Sequence, residues 1–177
     1  MRVLVGYASV HGSTAEVAAR IADTLRAAGL DVAVADVTTV TDLQGFDACL
    51  LGSAIHSGEM LPAMADFFDR FAALLDAMPV YLWLCCLRAT EAGGNVHVIQ
   101  HYIPESLLSL VTGCTVFAGK VDIHELGLNE RWVLANLYDG ERKPDRLCAD
   151  YRDWTAIADW AAGIARTLNA GVLNLSA

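Results

Sequence analysis

No run of this chain is long and apolar enough to span a bilayer; the richest, Phe71 to Leu87, is broken by Asp76 and Pro79. Positive charge is scarce. Twelve Lys and Arg against 21 Asp and Glu give a formal net charge of −9. Such a surface repels phosphate backbones and anionic headgroups, so neither nucleic-acid nor membrane-surface binding is expected, and a basic patch on a protein partner is the better electrostatic match. The five cysteines include no C-x-x-C pair. Their odd number gives neither a disulfide framework nor a zinc-site spacing, and a reducing, cytoplasmic setting fits them best. A Walker A loop and a G-x-G-x-x-G fingerprint are both missing, which argues against ATP and against NAD(P) in a Rossmann crevice. The apolar run behind Arg2 leads straight into a Gly/Ser/Thr loop and an amphipathic segment, so it reads as a first strand and not as a signal peptide.

What is present is core-forming material in a regular alternation. The chain has 177 residues, 55% of them hydrophobic, enough for one domain spanning residues 1–177 with no repeat, low-complexity tract or linker. Arg2 to Tyr7 is β-branched and apolar, and behind it Val17, Ile21 and Leu25 recur at helical spacing. Gly29 closes that helix and Leu30 to Asp36 is extended again. Ala48 to Leu51 forms a third strand, followed by the loop Gly52 to Gly58 and a helical stripe through Met64, Phe67, Phe68, Phe71, Leu74 and Leu75. Pro79 ends that helix. Val80 to Leu87 is nearly all apolar, as in a strand buried on both faces of a parallel sheet.

A weaker helix from Gly93-Gly94 carries Val96, Ile99 and Tyr102 until Pro104, and Cys114 to Gly119 is a fifth short strand. Residues 121–150 are an excursion without a clear strand signal, holding one helical candidate at Glu130 to Leu137 and the turn-rich Asp139 to Pro144. The last helix starts at Asp153, a good N-cap residue, and faces Ile157, Trp160, Ala161, Ile164 and Leu168 inward. The resulting expectation is an α/β three-layer sandwich, a five-stranded parallel sheet of order 2-1-3-4-5 with helices on both faces.

The first strand-to-helix loop is the most informative stretch. Ser9-Val10-His11-Gly12-Ser13-Thr14 combines hydroxyls and one glycine where a helix begins, and a helix start offers unpaired amides and the positive end of the peptide dipole to an anion. Capping by Ser9 or Ser13 is the competing local use. In an open α/β sheet the ligand crevice lies beyond the carboxyl ends of the strands where their order reverses, here between strands one and three. The Gly52 to Gly58 loop and the Cys85 to Glu91 loop would reach that same edge. Three loops then converge on a ligand with an anion and a flat ring.

These segments resemble the flavodoxin-domain family. Ala8 to Thr14 is similar to its hydroxyl-glycine-hydroxyl phosphate loop in the variant found near quinone-dependent protoporphyrinogen oxidases, Gly52-Ser53-Ala54-Ile55 to its Gly-Ser-x-Ile loop, Val116 to Gly119 to its fifth strand, and Tyr151-Arg152-Asp153-Trp154 to its entry to the last helix. The resemblance implies a flavodoxin-like fold and non-covalent FMN. It puts Ser9, Val10, His11, Gly12, Ser13 and Thr14 at the phosphate, with Ser53, Ala54, Ile55, His56, Ser57, Gly58, Cys86, Leu87 and Arg88 beside the isoalloxazine. No aromatic lies in the two later loops, which leaves Ile55, His56, Leu87 and Arg88 to face the ring.

Two functions follow from the resemblance. One is an FMN oxidoreductase acting on a small reduced substrate such as a porphyrinogen, with a quinone or other acceptor. The other is a non-enzymatic electron carrier docking on a basic redox protein, as a monomer or homodimer. A receiver-like domain fits less well, because Tyr7 and Ala8 stand where its acidic cluster belongs. His97 and His101 have the spacing to share a metal but bring no third ligand. Trp132, Trp154 and Trp160 stand among apolar residues and read as core, as do Trp83, Cys85 and Cys86.

Overall fold

The apolar and β-branched runs become strands in the computed structural model, which describes residues 1–137 and 148–175. They are β1 (Arg2–Ala8), β2 (Asp31–Asp36), β3 (Ala48–His56), the two-residue β4 (Glu59–Met60), β5 (Val80–Cys85) and β6 (Gly113–Phe117). The long strands are all parallel and lie in the order β2-β1-β3-β5-β6. With β4 set aside as a hairpin extension antiparallel to the end of β3, this is the expected 2-1-3-4-5 winding.

Side chains alternate across the sheet, and each face is covered. Val3 and Val5 of β1, Leu50 of β3 and Trp83 of β5 pack with Val17, Ile21 and Leu25 of α1 (Ser13–Ala27) and with Ile157, Ala161 and Ile164 of α6 (Trp154–Leu175). On the other face Leu4, Leu51, Leu82 and Leu84 meet Met64, Phe67 and Phe68 of α2 (Pro62–Leu75) and Val98 of α3 (Gly94–Tyr102). Each such side chain, fully withdrawn from water, stabilises the fold by roughly 1.5–3 kcal/mol before entropy is counted. The short α4 (Glu105–Leu108) adds Leu107 to the second cluster. Asp153 caps α6 as expected, its carboxylate accepting from the Thr155 and Ala156 amides at 3.0 and 2.9 Å.

Several expectations are corrected. Strand three does not stop at Leu51 but runs to His56, because Gly52 and Ser53 are small for a packing reason. Gly52 pairs with Trp83, and a Cβ added there would lie 2.0 Å from the indole ring. The expected loop is therefore strand plus a tight turn, with positive φ at Ser57 (52°) and Gly58 (85°), the pattern of a primed hairpin turn. Strand four ends at Cys85, and Leu87–Thr90 forms a 3-10 turn. The fifth strand ends at Phe117, two residues before the expected Gly119. In α3 the buried valine is Val98, while Val96 is exposed, so the inward face is rotated from the one expected.

The excursion also holds strands that no pattern in the sequence announced. Lys120–Asp122 (β7) and Cys148–Asp150 (β8) pair antiparallel as a separate ribbon, and between them lies α5 (Leu128–Leu137). The Asp139 to Pro144 turn lies outside the described residues. Trp132, at 69%, and Trp154, at 36%, are exposed, so the core reading fails for both, whereas Trp160 is partly buried against the α1/α6 side of the sheet and Trp83 is fully buried.

Candidate functional site

The carboxyl ends of β1, β3 and β5 lie side by side, and the chain leaving each one turns away to open a cleft of about 590 Å³. That volume is in the range of a small-molecule or cofactor site. Its first wall is the β1–α1 turn, contributing Ser9, Val10, His11, Ser13 and Thr14. Gly12 enters α1 with φ of 80°, a left-handed conformation that glycine adopts without penalty. The first helical bond runs from the Glu16 amide to the Gly12 carbonyl, so the amides of Ser13, Thr14 and Ala15 have no carbonyl of their own helix to donate to. Ser9 Oγ accepts from the Gly12 amide at 3.0 Å, which holds the turn in shape.

Ala54, Ile55, His56, Ser57 and Gly58 supply the second wall, and Cys86, Leu87 and Arg88 the third. All but two of the expected site residues thus border one cleft. Gly12 does not line it and acts through the turn's backbone. Ser53 lies off it altogether. It is fully buried, donates to the Ala54 carbonyl at 2.8 Å and accepts from the Leu61 amide at 3.1 Å, tying the end of β3 to the start of α2.

Behind the first turn, Thr14 is buried and its hydroxyl pairs with Cys85, whose thiol is pushed up to about 12, chiefly by burial. Burial also raises Cys86. Both are protonated small residues at neutral pH rather than reactive thiolates.

Several contributors to the site went unseen in the sequence. Glu130, in the first turn of α5, reaches back to the cleft and places Oε1 3.0 Å from His11 Nε2 and 3.4 Å from His56 Nδ1. Its carboxyl is held below the usual range by the His11 contact first and by the Gly127 amide second. His56 is lowered, mainly by burial, with Glu130 opposing and His11 assisting. Tyr102 and His101 of α3 and Lys120 of β7 also line the cleft, as do Glu59, Glu91 and Leu126. Tyr102 is the aromatic the loops lack, and its ring would be 3.4 Å from a Cβ at Gly58. Only its place in an apolar helical stripe was visible in the sequence, and that pattern speaks of packing.

Arg152 was unseen as well, and it acts from behind the cleft. Its side chain is 3% exposed, donates to the Ser13 carbonyl at 3.1 Å and pairs with Glu16 at 2.9 Å and Asp150 at 2.6 Å. Asp150 is lowered by that arginine. The guanidinium also lies 4.4 Å over the Trp154 ring. The contact fastens the opening of α1 to the ribbon and to α6. In contrast, His97 and His101 stack on each other, and His101 Nδ1 faces the His97 carbonyl at 2.9 Å, so that pair is engaged with itself.

Known proteins resemble this chain in sequence and in fold. Protoporphyrinogen IX dehydrogenase [quinone] of Escherichia coli K12 is 24% identical over 172 residues, covering 93% of this chain and 95% of that protein. Among solved structures, an archaeal flavodoxin superposes with a TM-score of 0.59 at 18% identity, over 96% of this chain and 99% of its own. Rubredoxin oxygen:oxidoreductase of Desulfovibrio gigas gives a TM-score of 0.62 at 17% identity, over 97% of this chain but 37% of that longer one. These structural likenesses show the fold. The model of the flavodoxin domain matches residues 4–147. That span carries all three loops of the cleft, and the chain belongs to the flavodoxin-domain family.

Proposed function

We propose that the chain binds FMN non-covalently in this cleft and uses it to oxidise a small reduced substrate of the porphyrinogen class, passing the electrons to a quinone. The observation that carries the cofactor assignment is the unpaired opening of α1, with Ser13 and Thr14 on a 590 Å³ cleft at the β1/β3 reversal of strand order, the position where flavodoxin-like folds carry FMN. Amides and hydroxyls of the Ser9 to Thr14 turn would hold the phosphate, and charge-assisted bonds of this kind are stronger than neutral ones. Ala54 to Gly58 and Cys86 to Arg88 would flank the ring system, with Tyr102 supplying the aromatic wall.

The bound flavin supplies reversible one- and two-electron transfer. The chain's own residues do the rest. Arg152 keeps the anion-binding turn in place by gripping the Ser13 carbonyl. Ser57, on the cleft, holds a left-handed φ of 52° that a non-glycine residue rarely adopts, a strained position of the kind found where a backbone group must be aimed. Ile55, Leu87 and Tyr102 give the cleft apolar and aromatic surface for a ring, while its charged lining is mixed, Arg88 and Lys120 standing beside Glu59, Glu91 and Glu130, with Arg88 paired to Glu91 at 3.7 Å. The substrate class rests on the near full-length match to the E. coli dehydrogenase.

The test is to purify the chain, identify any released flavin, and assay porphyrinogen oxidation with a quinone acceptor. Turnover that depends on both supports the oxidase. A yellow protein that passes electrons to a redox protein but leaves porphyrinogen untouched is the carrier instead. A colourless chain that takes up no FMN overturns both.

A further inference from the structure

We propose that His11 Nε2, His56 Nδ1 and Glu130 Oε1 bind a divalent cation of the zinc type, with the remaining coordination position open to the cleft. The three groups come from separate parts of the chain, namely the β1–α1 turn, the last residue of β3 and the first turn of α5. Their ligand atoms all lie within 4.8 Å of one another. A tetrahedral zinc with bonds near 2.0–2.1 Å places neighbouring ligand atoms about 3.3 Å apart. The two distances to Glu130 Oε1, 3.0 Å from His11 and 3.4 Å from His56, bracket that value.

The donor set selects the metal class. Two imidazole nitrogens and one carboxylate oxygen suit first-row divalent ions, whereas calcium and magnesium take all-oxygen sites. Three protein ligands with a fourth position left open is also the composition of zinc sites that bind an exchangeable ligand, here water.

The support behind the ligands is what distinguishes this cluster from a chance contact. Gly127 N donates to Glu130 Oε2 at 2.7 Å, which occupies the second carboxylate oxygen and turns Oε1 toward the imidazoles. Outer-shell bonds of this kind orient metal ligands. The two imidazole rings are neighbours, with centroids 5.9 Å apart, and each turns one nitrogen to the same carboxylate oxygen, Glu130 Oε1. The other three-residue cluster among the described residues, Asp122, His124 and Cys148, is mostly exposed, and Asp122 Oδ1 already accepts from the His124 amide at 2.9 Å. It serves as an internal control.

The inference does not rest on the flavin reading, and its test uses flavin-free chain without a tag, washed with chelator and titrated with Co²⁺ alone. The expected result is one equivalent bound with intense visible bands of tetrahedral cobalt, no thiolate charge-transfer band, and displacement by Zn²⁺. Replacing His11→Ala or His56→Ala weakens uptake by about 100-fold or more, beyond the loss typical of outer-shell changes. Glu130→Gln loses the bands, and Glu130→His, which restores a third ligand, recovers them; circular dichroism confirms that each variant is folded. No tetrahedral bands, bands that survive both histidine replacements, or a thiolate band placing the ion at Cys148 would each overturn the proposal.

Discussion

The cleft has two unlike sides. Its floor is made of strand ends and the opening of α1, set directly on the core: Ala8, Thr14 and Cys85 are all buried, and Trp83 fills the space over Gly52. Its far side comes from the excursion and is held by polar contacts, Glu130 on His11 and His56, Arg152 on the Ser13 carbonyl, and the Tyr151 amide on the Gly119 carbonyl at 3.1 Å. A floor built on buried apolar contacts is as stable as the whole fold, while a wall held by a few polar contacts opens at lower cost. The position of a ligand is thus set by the floor, and access and selectivity by the wall.

That division ranks the expected effects of substitution. Trp83→Ala strikes the floor and should cost about 3–5 kcal/mol in a denaturant titration, through the cavity left between β5 and α6. A loss below about 1 kcal/mol would mean that the strand ends do not depend on the core as described. Arg152→Ala lies at the boundary. Its buried guanidinium holds the Ser13 carbonyl, so about 1–3 kcal/mol of stability and a matching part of FMN affinity should go together. Stability lost with affinity unchanged would separate the anchor from the site.

The same boundary responds to acid. Because Asp150 is held below its ordinary value by Arg152, its contribution is complete above about pH 4 and is lost as pH falls through the depressed value. The stability gap between the native chain and Asp150→Asn should therefore narrow on acidification, and a gap that widens would contradict the pairing. Glu130→Gln is the mildest change. Its side chain is 33% exposed, and removing so exposed a contact should alter stability by under about 1 kcal/mol. A cooperative collapse of the fold would erase the distinction between floor and wall.

The same contrast explains what could be read in the sequence. The floor was legible because burial leaves a periodic trace: Val17, Ile21 and Leu25 announce α1, and the apolar run from Val80 announces a strand covered on both faces. The winding followed from that alternation. The extension of β3 through Gly52 and Ser53 was hidden, since small residues required by the Trp83 ring look like a loop. The wall left less trace. Glu130 meets His11 across 119 positions of sequence, and such a contact has no local signature. The three-residue strands β7 and β8 are too short for alternation to show, and Arg152 appeared only within a matched motif, with nothing to indicate that it would reach the first helix.

The most direct test compares FMN with riboflavin, which has the ring but no phosphate, by calorimetric titration of the flavin-free chain. If the opening of α1 grips the phosphate through two or more charge-assisted bonds, FMN should bind at least about 100-fold more tightly, and Ser13→Glu should abolish that advantage. Equal affinity for the two ligands, or binding of neither, would contradict the assignment of the cleft.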